Sequence, residues 1–317
     1  MSNRLIVSPS PHLRENTTTK TIMFDVAIAL VPASIASIFF FKTPAAMILL
    51  ISIISAVLAE YVVQKIRKQP ITISDGSAFV TGQLLALNLP ASVPLWIPVI
   101  GSVFAIVVVK QMFGGIGQNF MNPALAARIM LTISYTDRMT QWVEPGVDAV
   151  STATPLTFAS DFTSVQSGAP SFVDLAIGNI GGSMGETSAI LLIIGGIYLI
   201  YRGVISVKIP GLFILTVAVA TLLYSGFDIE YMLYHLLSGS LMIGAIYMAT
   251  DYASSPVTPR GKIYFAVGCG LLTSVIRLFG AYAEGVGFAI LLMNTTVPLI
   301  DRYTAPKVFG EVEKQNA

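Results

Sequence analysis

The sequence predicts an all-α, polytopic integral membrane protein, with about ten transmembrane helices set out as two inverted five-helix repeats containing broken helices. Three observations carry that expectation: the composition, the length of the apolar runs, and an echo between the two halves. Of 317 residues, 54% are apolar and 11% are charged, where soluble domains carry about a quarter charged. Mean hydropathy is +0.76.

A helix crosses the hydrocarbon core in about 20 apolar residues. Runs near that length, some shortened by Gly or Pro, stand at 22–41, 45–64, 76–89, 94–111, 120–134, 187–201, 209–225, 231–249, 263–280 and 286–300. Lys and Arg resist translocation and so mark the cytoplasmic side. With the N-terminus inside, the cytoplasmic segments and span ends collect Arg4, Arg14, Lys20, Lys65, Arg67, Lys68, Lys110, Arg128, Arg202, Lys208, Arg260, Lys262, Arg302, Lys307 and Lys314. Only Lys42, Arg138 and Arg277 remain towards the outside. The expected organisation is a cytoplasmic N-terminal segment (1–20), a first five-helix repeat (21–134), an extracytoplasmic loop (135–186), a second repeat (187–302) and a cytoplasmic tail (303–317). The expected place is the cytoplasmic (inner) membrane, in lipid. The first 20 residues are polar and lack a charged n-region with an adjoining cleavage site, so no cleaved secretory signal is expected.

Two stretches echo each other: GGIGQNFMNPALAAR (114–128) and EGVGFAILLMNTTVPLIDR (284–302). Each reads Gly-x-Gly, Met-Asn, Pro, Arg, and each closes a half. An odd number of spans per half requires opposite topology, the inverted-repeat plan. A weaker pair is SDGSAFVTGQLLALNLP (74–90) and LSGSLMIGAIYMATD (237–251), each a Gly-Ser start to an apolar run. Non-helical backbone at membrane depth survives only beside protein or a cavity, so these breaks imply a pocket near the midplane. Gly114, Gly115 and Gly117 would let backbone approach a flat ligand, and Asn119 and Asn122 offer donors and acceptors. Taken alone, these residues fit close helix packing and backbone bonding at least as well.

The sequence also excludes chemistry. Cys269 is the only cysteine, which rules out an internal disulfide and any cluster or zinc site held by cysteines of this chain alone. His12 lies in the polar N-terminal segment, leaving His235 as the only membrane histidine. It reads as a satisfied core residue, and no metal site is expected. A net charge of +1 gives no reason to expect nucleic acid. Buried carboxylates would mark an ion relay, but Asp25, Glu60, Asp75, Asp251, Glu284 and Asp301 all lie near a span end or a break. Glu60 is expected to pair with the basic cluster at Lys65. Asp75 and Asp251 are placed to cap helices or touch a ligand. Arg277 is placed to meet an anionic group or to snorkel to the interface. The chain is not expected to pump ions on its own.

In the loop, DAVSTATPL (148–156) sets Asp148, Ser151, Thr152 and Thr154 before Pro155. Such side chains bond local amides, so a turn or cap is the residue-level reading, and SMGE (183–186) reads as a capping box for the sixth span. DAVSTATPL also resembles the flavinylation motif Asp-x-x-Ser/Thr-x-Ala-Thr of a membrane-protein family that includes the D subunit of the Rnf complex and the B subunit of the sodium-pumping NADH:quinone oxidoreductase. The likeness extends through MFGGIGQNFMNPALAAR and MATDYASSPVTPRGKIY to VIRLFGAYAEGVGFAILLMNTTVPLIDRYT, and the absence of a long N-terminal extension favours the Rnf branch.

The resemblance implies FMN joined by a phosphoester to Thr154, with Asp148 and Ser151 as recognition positions. Thr152 stands where the family usually has Gly and is a second hydroxyl able to compete. It also implies a noncovalent riboflavin, for which the breaks offer Gly114, Gly115, Gly117, Asn119, Asn122, Arg128, Asp251 and Arg277. The implied partners are the A, B, C, E and G subunits of the Rnf complex and a flavin transferase acting outside the cytoplasm, the side to which the Lys/Arg count assigns the loop. The implied activity is electron transfer within an ion-translocating ferredoxin:NAD+ oxidoreductase, incomplete without partners. A channel or transporter for a small polar solute is the alternative that the same repeat would serve.

Overall fold

A chain this apolar must satisfy its backbone N–H and C=O groups within each segment where lipid offers no partner, and the structure is a succession of helices. The computed structural model describes residues 17–145, 154–159, 170–186, 188–280 and 284–306. Among these, the regular elements are helical, and strand-like pairing is confined to isolated bridges such as that between Pro90 and Ser183.

Thr18 opens α1 (Thr19–Ile66), its hydroxyl accepting the Thr21 N–H at 3.2 Å. At 48 residues α1 is more than one span long, and it breaks at Lys42 (φ 55°, ψ −134°), between the runs expected at 22–41 and 45–64. Gly76 stands at the N-cap of α2 (Ser77–Leu87), and Asp75 just before it accepts Ser77 N at 2.8 Å, closer to the first of the two roles expected of it than to ligand contact. Helix α3 (Trp96–Val103) runs directly into a π-helical segment, Phe104–Gln111. Asn122 caps α4 (Pro123–Ser134), with Pro123 where its missing N–H is harmless. Short α5 (Thr136–Met139) and α6 (Phe172–Ile177) precede α7 (Ala189–Tyr201) and α8 (Lys208–Tyr224). Next, α9 (Ile229–Leu237) meets α10 (Leu241–Ile243), which widens into a second π segment, Gly244–Met248. The chain closes with α11 (Pro259–Phe279) and α12 (Val286–Thr304).

By length and composition, α1 and α11 suffice to cross a membrane, joined by a third span if α9 and Leu241–Met248, bent by 66°, count as one. Helices α2, α4, α7, α8 and Trp96–Gln111 are apolar but shorter. At 1.5 Å per residue, α4 covers about 18 Å of a core about 30 Å thick. It is a half-helix, beginning in the loop that the sequence marked as a break.

Helix α1 packs on α2, α3 and α7, while α11 packs on α8 and α12. One buried apolar cluster joins both groups, holding Leu30, Leu85 and Ile97 with Phe213, Ile243 and Phe265. The outer faces are equally apolar: Ile28, Ile35 and Phe39 of α1, Leu215, Val219 and Leu223 of α8, and Leu271 and Val275 of α11 are exposed. Such a surface suits hydrocarbon and not water. Helix α7 lies against α1 so closely that a Cβ on Gly195 would collide with the Ala29 carbonyl and the Tyr247 hydroxyl. That hydroxyl is 3.0 Å from the Leu192 carbonyl and 3.2 Å from that of Ala29.

One cap falls elsewhere than expected. SMGE does not open the sixth span: a 3-10 turn, Met184–Glu186, separates it from α7, and Ser188 is the residue whose hydroxyl accepts Leu191 N at 3.3 Å. Ser183 instead donates its hydroxyl to Glu186 Oε1 at 2.6 Å, both residues being buried.

Candidate functional site

Two cavities lie along α4. The first, about 100 Å³, surrounds its N-terminus and is lined by Ser77, Lys110, Asn119, Asn122, Tyr247 and Asp251 among others. Asn122 Oδ1 accepts the N–H groups of Ala124 (3.0 Å) and Leu125 (3.2 Å), while its Nδ2 donates to the Met248 carbonyl at 3.3 Å. Asn119 Nδ2 donates to the Met121 carbonyl (3.0 Å) and to Asp251 Oδ2 (3.3 Å), which also accepts from Ser254 at 2.8 Å. Burial raises the Asp251 carboxyl above its ordinary range. Of the residues expected to form one pocket, Asn119, Asn122 and Asp251 meet here. Gly114, Gly115 and Gly117 do not line it. They take φ values of 123°, 102° and 80°, the left-handed geometry that turns the chain, and Ile116 between them is the residue that reaches the cavity.

Lys110 enters this cavity already neutralised. Its Nζ donates to Glu60 Oε1 at 2.7 Å and to Ser77 Oγ at 2.6 Å, and Gln111 Nε2 donates to the same Glu60 oxygen at 2.7 Å. This corrects the expectation that Glu60 pairs with Lys65. The π segment turns both Lys110 and Gln111 onto a carboxylate from α1, a contact between residues 50 positions apart.

The second cavity, about 190 Å³, lies farther along α4 and is lined by Arg128, Thr132, Thr140, Trp142, Thr154, Glu284 and Phe288 among others. Thr154 is 5% exposed, and its Oγ1 has no hydrogen-bond partner among the described residues. Its carbonyl, not its hydroxyl, opens the turn Pro155–Ala159 by accepting Thr157 N at 3.0 Å. Leu156, buried two residues on, faces Gly239 beside Arg277 and anchors the turn. Asp148, Ser151 and Thr152 lie outside the described residues.

Arg128 Nη1 donates to Asn88 Oδ1 at 2.9 Å, and Nη2 donates to Glu284 Oε2 while lying 3.7 Å from Glu186 Oε1. The cation count grouped Arg128 with the cytoplasmic set. Here it is the sixth residue of α4, mid-helix and on the cavity shared with Thr154, because α4 begins only at Pro123. Arg277 is 7% exposed and does not snorkel: Nη1 donates to the His235 carbonyl (2.6 Å) and Nη2 to that of Ser238 (3.2 Å), closing the C-terminus of α9. His235 is buried with its ring 4.5 Å from that of Tyr231, the core placement expected. Glu186 and Asn88 were not singled out in the sequence. Glu186 hid inside an apparent capping box, and Asn88 inside an apolar run.

The NQR2, RnfD, RnfE family matches residues 6–310. The chain is 50% identical over 311 residues to the D subunit of the Na(+)-translocating ferredoxin:NAD(+) oxidoreductase complex of Acetobacterium woodii, a match covering 96% of this chain and 95% of that protein. It is 43% identical over 320 residues to the D subunit of the proton-translocating ferredoxin:NAD(+) oxidoreductase complex of Clostridium ljungdahlii, with 97% of each covered. Identity to the D subunit of the ion-translocating oxidoreductase complex of Escherichia coli is 36% over 347 residues, covering 96% and 98%. On the strength of near-complete coverage by both kinds of match, the chain belongs to the NQR2, RnfD, RnfE family.

Proposed function

We propose that this chain is the D subunit of an ion-translocating ferredoxin:NAD+ oxidoreductase complex, a membrane electron-transfer subunit that carries FMN on Thr154 and a noncovalent riboflavin. Ferredoxin oxidation and NAD reduction belong to partner subunits, since one cysteine cannot hold a cluster. The flavins supply one- and two-electron chemistry, and the protein supplies their position and electrostatics.

One observation carries the attachment site: the Thr154 hydroxyl is buried on a cavity wall with none of its hydrogen bonds used among the described residues. Buried hydroxyls are ordinarily paired, so an unpaired one beside Arg128, Trp142 and Phe288 fits a phosphate with an aromatic ring near it. The cavity is below the usual range of ligand pockets, about 300–1,000 Å³, and suits the phosphate end and not the whole group. The first cavity, smaller still at about 100 Å³, suits only a part of riboflavin: Asn119, Asn122 and Asp251 set amides and a carboxyl on its wall for a neutral, hydroxyl-rich ligand, with no uncompensated cation.

The ten-span inverted repeat draws support from local geometry. Gly76 (φ 79°) before Ser77 and Gly239 (φ 71°) before Ser240 make the same left-handed entry to an apolar helix. The asparagines of the two Met-Asn pairs also meet: with the Asn294 amide turned so that its oxygen faces the Asn122 N–H, Oδ1 accepts it at 3.1 Å, as a pseudo-two-fold between halves would bring about. In this reading, the cytoplasm holds both termini, the Thr154 loop faces outward, the A, B, C, E and G subunits surround the chain in lipid, and a flavin transferase acts from outside.

In-gel fluorescence of the denatured chain, made with its transferase, should show a covalent flavin that Thr154→Val abolishes and Thr152→Val retains. Mass spectrometry of the Thr154 peptide should carry the FMN mass. An unmodified peptide and a colourless chain would overturn the reading and favour solute passage.

A further inference from the structure

Glu186 and Glu284 have no part in the reading above. They come from distant stretches, one from the turn before α7 and one from the segment before α12, yet both reach the same nitrogen of Arg128. Two carboxylates on one guanidinium nitrogen are necessarily close to each other, and both are removed from water, with side-chain exposures of 1% and 15%. The groups facing them are Arg128 from α4, Ser183 from the turn before α7, and Arg277 from α11, within electrostatic reach of both. Glu284 Oε1 has no hydrogen-bond partner among the described residues, and neither has Thr154 Oγ1, which lines the same cavity.

We propose that Glu186 and Glu284 share one proton, and that the positive charge this leaves in surplus on Arg128 and Arg277 is the counter-charge for one phosphodiester anion borne by Thr154. Two guanidinium charges against one carboxylate leave a single positive charge, which is what a phosphodiester matches. Were both carboxylates ionised, the cluster would be neutral and the anion would sit uncompensated in a desolvated site. Like charges held this close do not both ionise readily. Burial and the facing Glu284 push the Glu186 carboxyl well above its ordinary range, whereas at Glu284 burial, the largest single effect, is outweighed by Arg128, a hydrogen bond with Glu186 and Arg277 acting together, which draw it down. The proton therefore resides on the Glu186 side. It comes from the aqueous phase on the Thr154 side, no bond but O–H is made, and it returns there when the anion is absent and the pH rises. The identity of the anion rests on the flavin reading above, whereas the shared proton does not.

The test is pH-difference infrared spectroscopy on the purified complex, following the carbonyl stretch of a protonated carboxylic acid. Wild type should show one such band near neutral pH that is lost in Glu186→Gln and again in Glu284→Gln. Glu186→Gln keeps the side-chain volume and the Ser183 contact, so it serves where Glu284→Gln fails to assemble. In Thr154→Val, which cannot carry the diester, the band should titrate away at least about one pH unit lower. A band absent at neutral pH, or one surviving Glu186→Gln, overturns the shared proton. A midpoint unmoved by Thr154→Val in a chain whose wild-type peptide carries FMN overturns the counter-charge. Failure of the flavin reading shows itself separately, as an unmodified peptide mass.

Discussion

The N-terminus and the middle of α4 face different chemistry although a single half-helix of 12 residues carries both. At its N-terminus the cavity offers two asparagines, one aspartate and a lysine tied to Glu60. Mid-helix, the cavity is floored by an arginine holding two carboxylates, with a second arginine behind. The difference separates two ligand classes. A neutral molecule is selected by hydrogen bonds whose loss leaves polar groups unpaired. An anion is selected by net charge, and at low local dielectric that requirement is severe. Under the proposed assignment, the phosphate-free flavin and the phosphate-bearing one are told apart by the charge kept at each of these two places on α4.

The comparison breaks most directly at Arg128. Arg128→Ala strands two buried carboxylates and should cost about 3–5 kcal/mol, read as a large fall in the thermal midpoint of the detergent-solubilised complex. Asp251→Asn at the other cavity should change stability by under about 1 kcal/mol, since the amide keeps the Asn119 and Ser254 neighbourhood. It should instead lower the flavin released by denaturing extraction. Equal losses of stability would erase the distinction between a charged site and an amide site.

A smaller effect sharpens the claim that Lys110 brings no free charge to the first cavity. Lys110→Met should destabilise by about 3 kcal/mol, and adding Glu60→Leu should recover most of it, because an intact buried pair contributes little net stability while a broken one leaves a charge unpaired. No recovery in the double variant would mean that Lys110 serves the ligand more than Glu60.

The smallest effect is a slope. A carboxyl whose proton is held more tightly in the folded chain than in the unfolded one favours folding at low pH, and that contribution is lost as pH rises through its folded-state value. Glu186 is such a group. Melting midpoints should decline on the alkaline side in wild type, and Glu186→Gln, with no proton to lose, should flatten the decline. Identical slopes would place the titration elsewhere.

Much of this was legible in the chain. Apolar runs located the helices to within a few residues, and of the residues that the breaks singled out, Asn119, Asn122 and Asp251 line the first cavity while the glycines only turn the chain beside it. What stayed hidden depended on distance. Glu60 lies five residues from Lys65 in sequence, but α1 presents it to the π segment, and nothing local announces a partner 50 residues on. Ser183 and Glu186 have the spacing of a cap, but the chain makes a 3-10 turn there and Ser188, nearer the apolar run, takes the cap instead. Arg277 reads from sequence as a lone cation near a membrane surface. In three dimensions it ends another helix, because α9 stops with its last carbonyls pointing at α11.

Gly195 ties this architecture together at a place with no chemistry of its own. Its bare backbone lets α7 rest on α1 at the level of Ala29, with the Tyr247 phenol wedged alongside, and Tyr247 is also a wall of the first cavity. A single methyl group at 195 would therefore act as a shim: it would lever two helices apart and swing an aromatic panel of the chamber with them. The shape of the first cavity thus depends on the thinnest point of a seam in the interior.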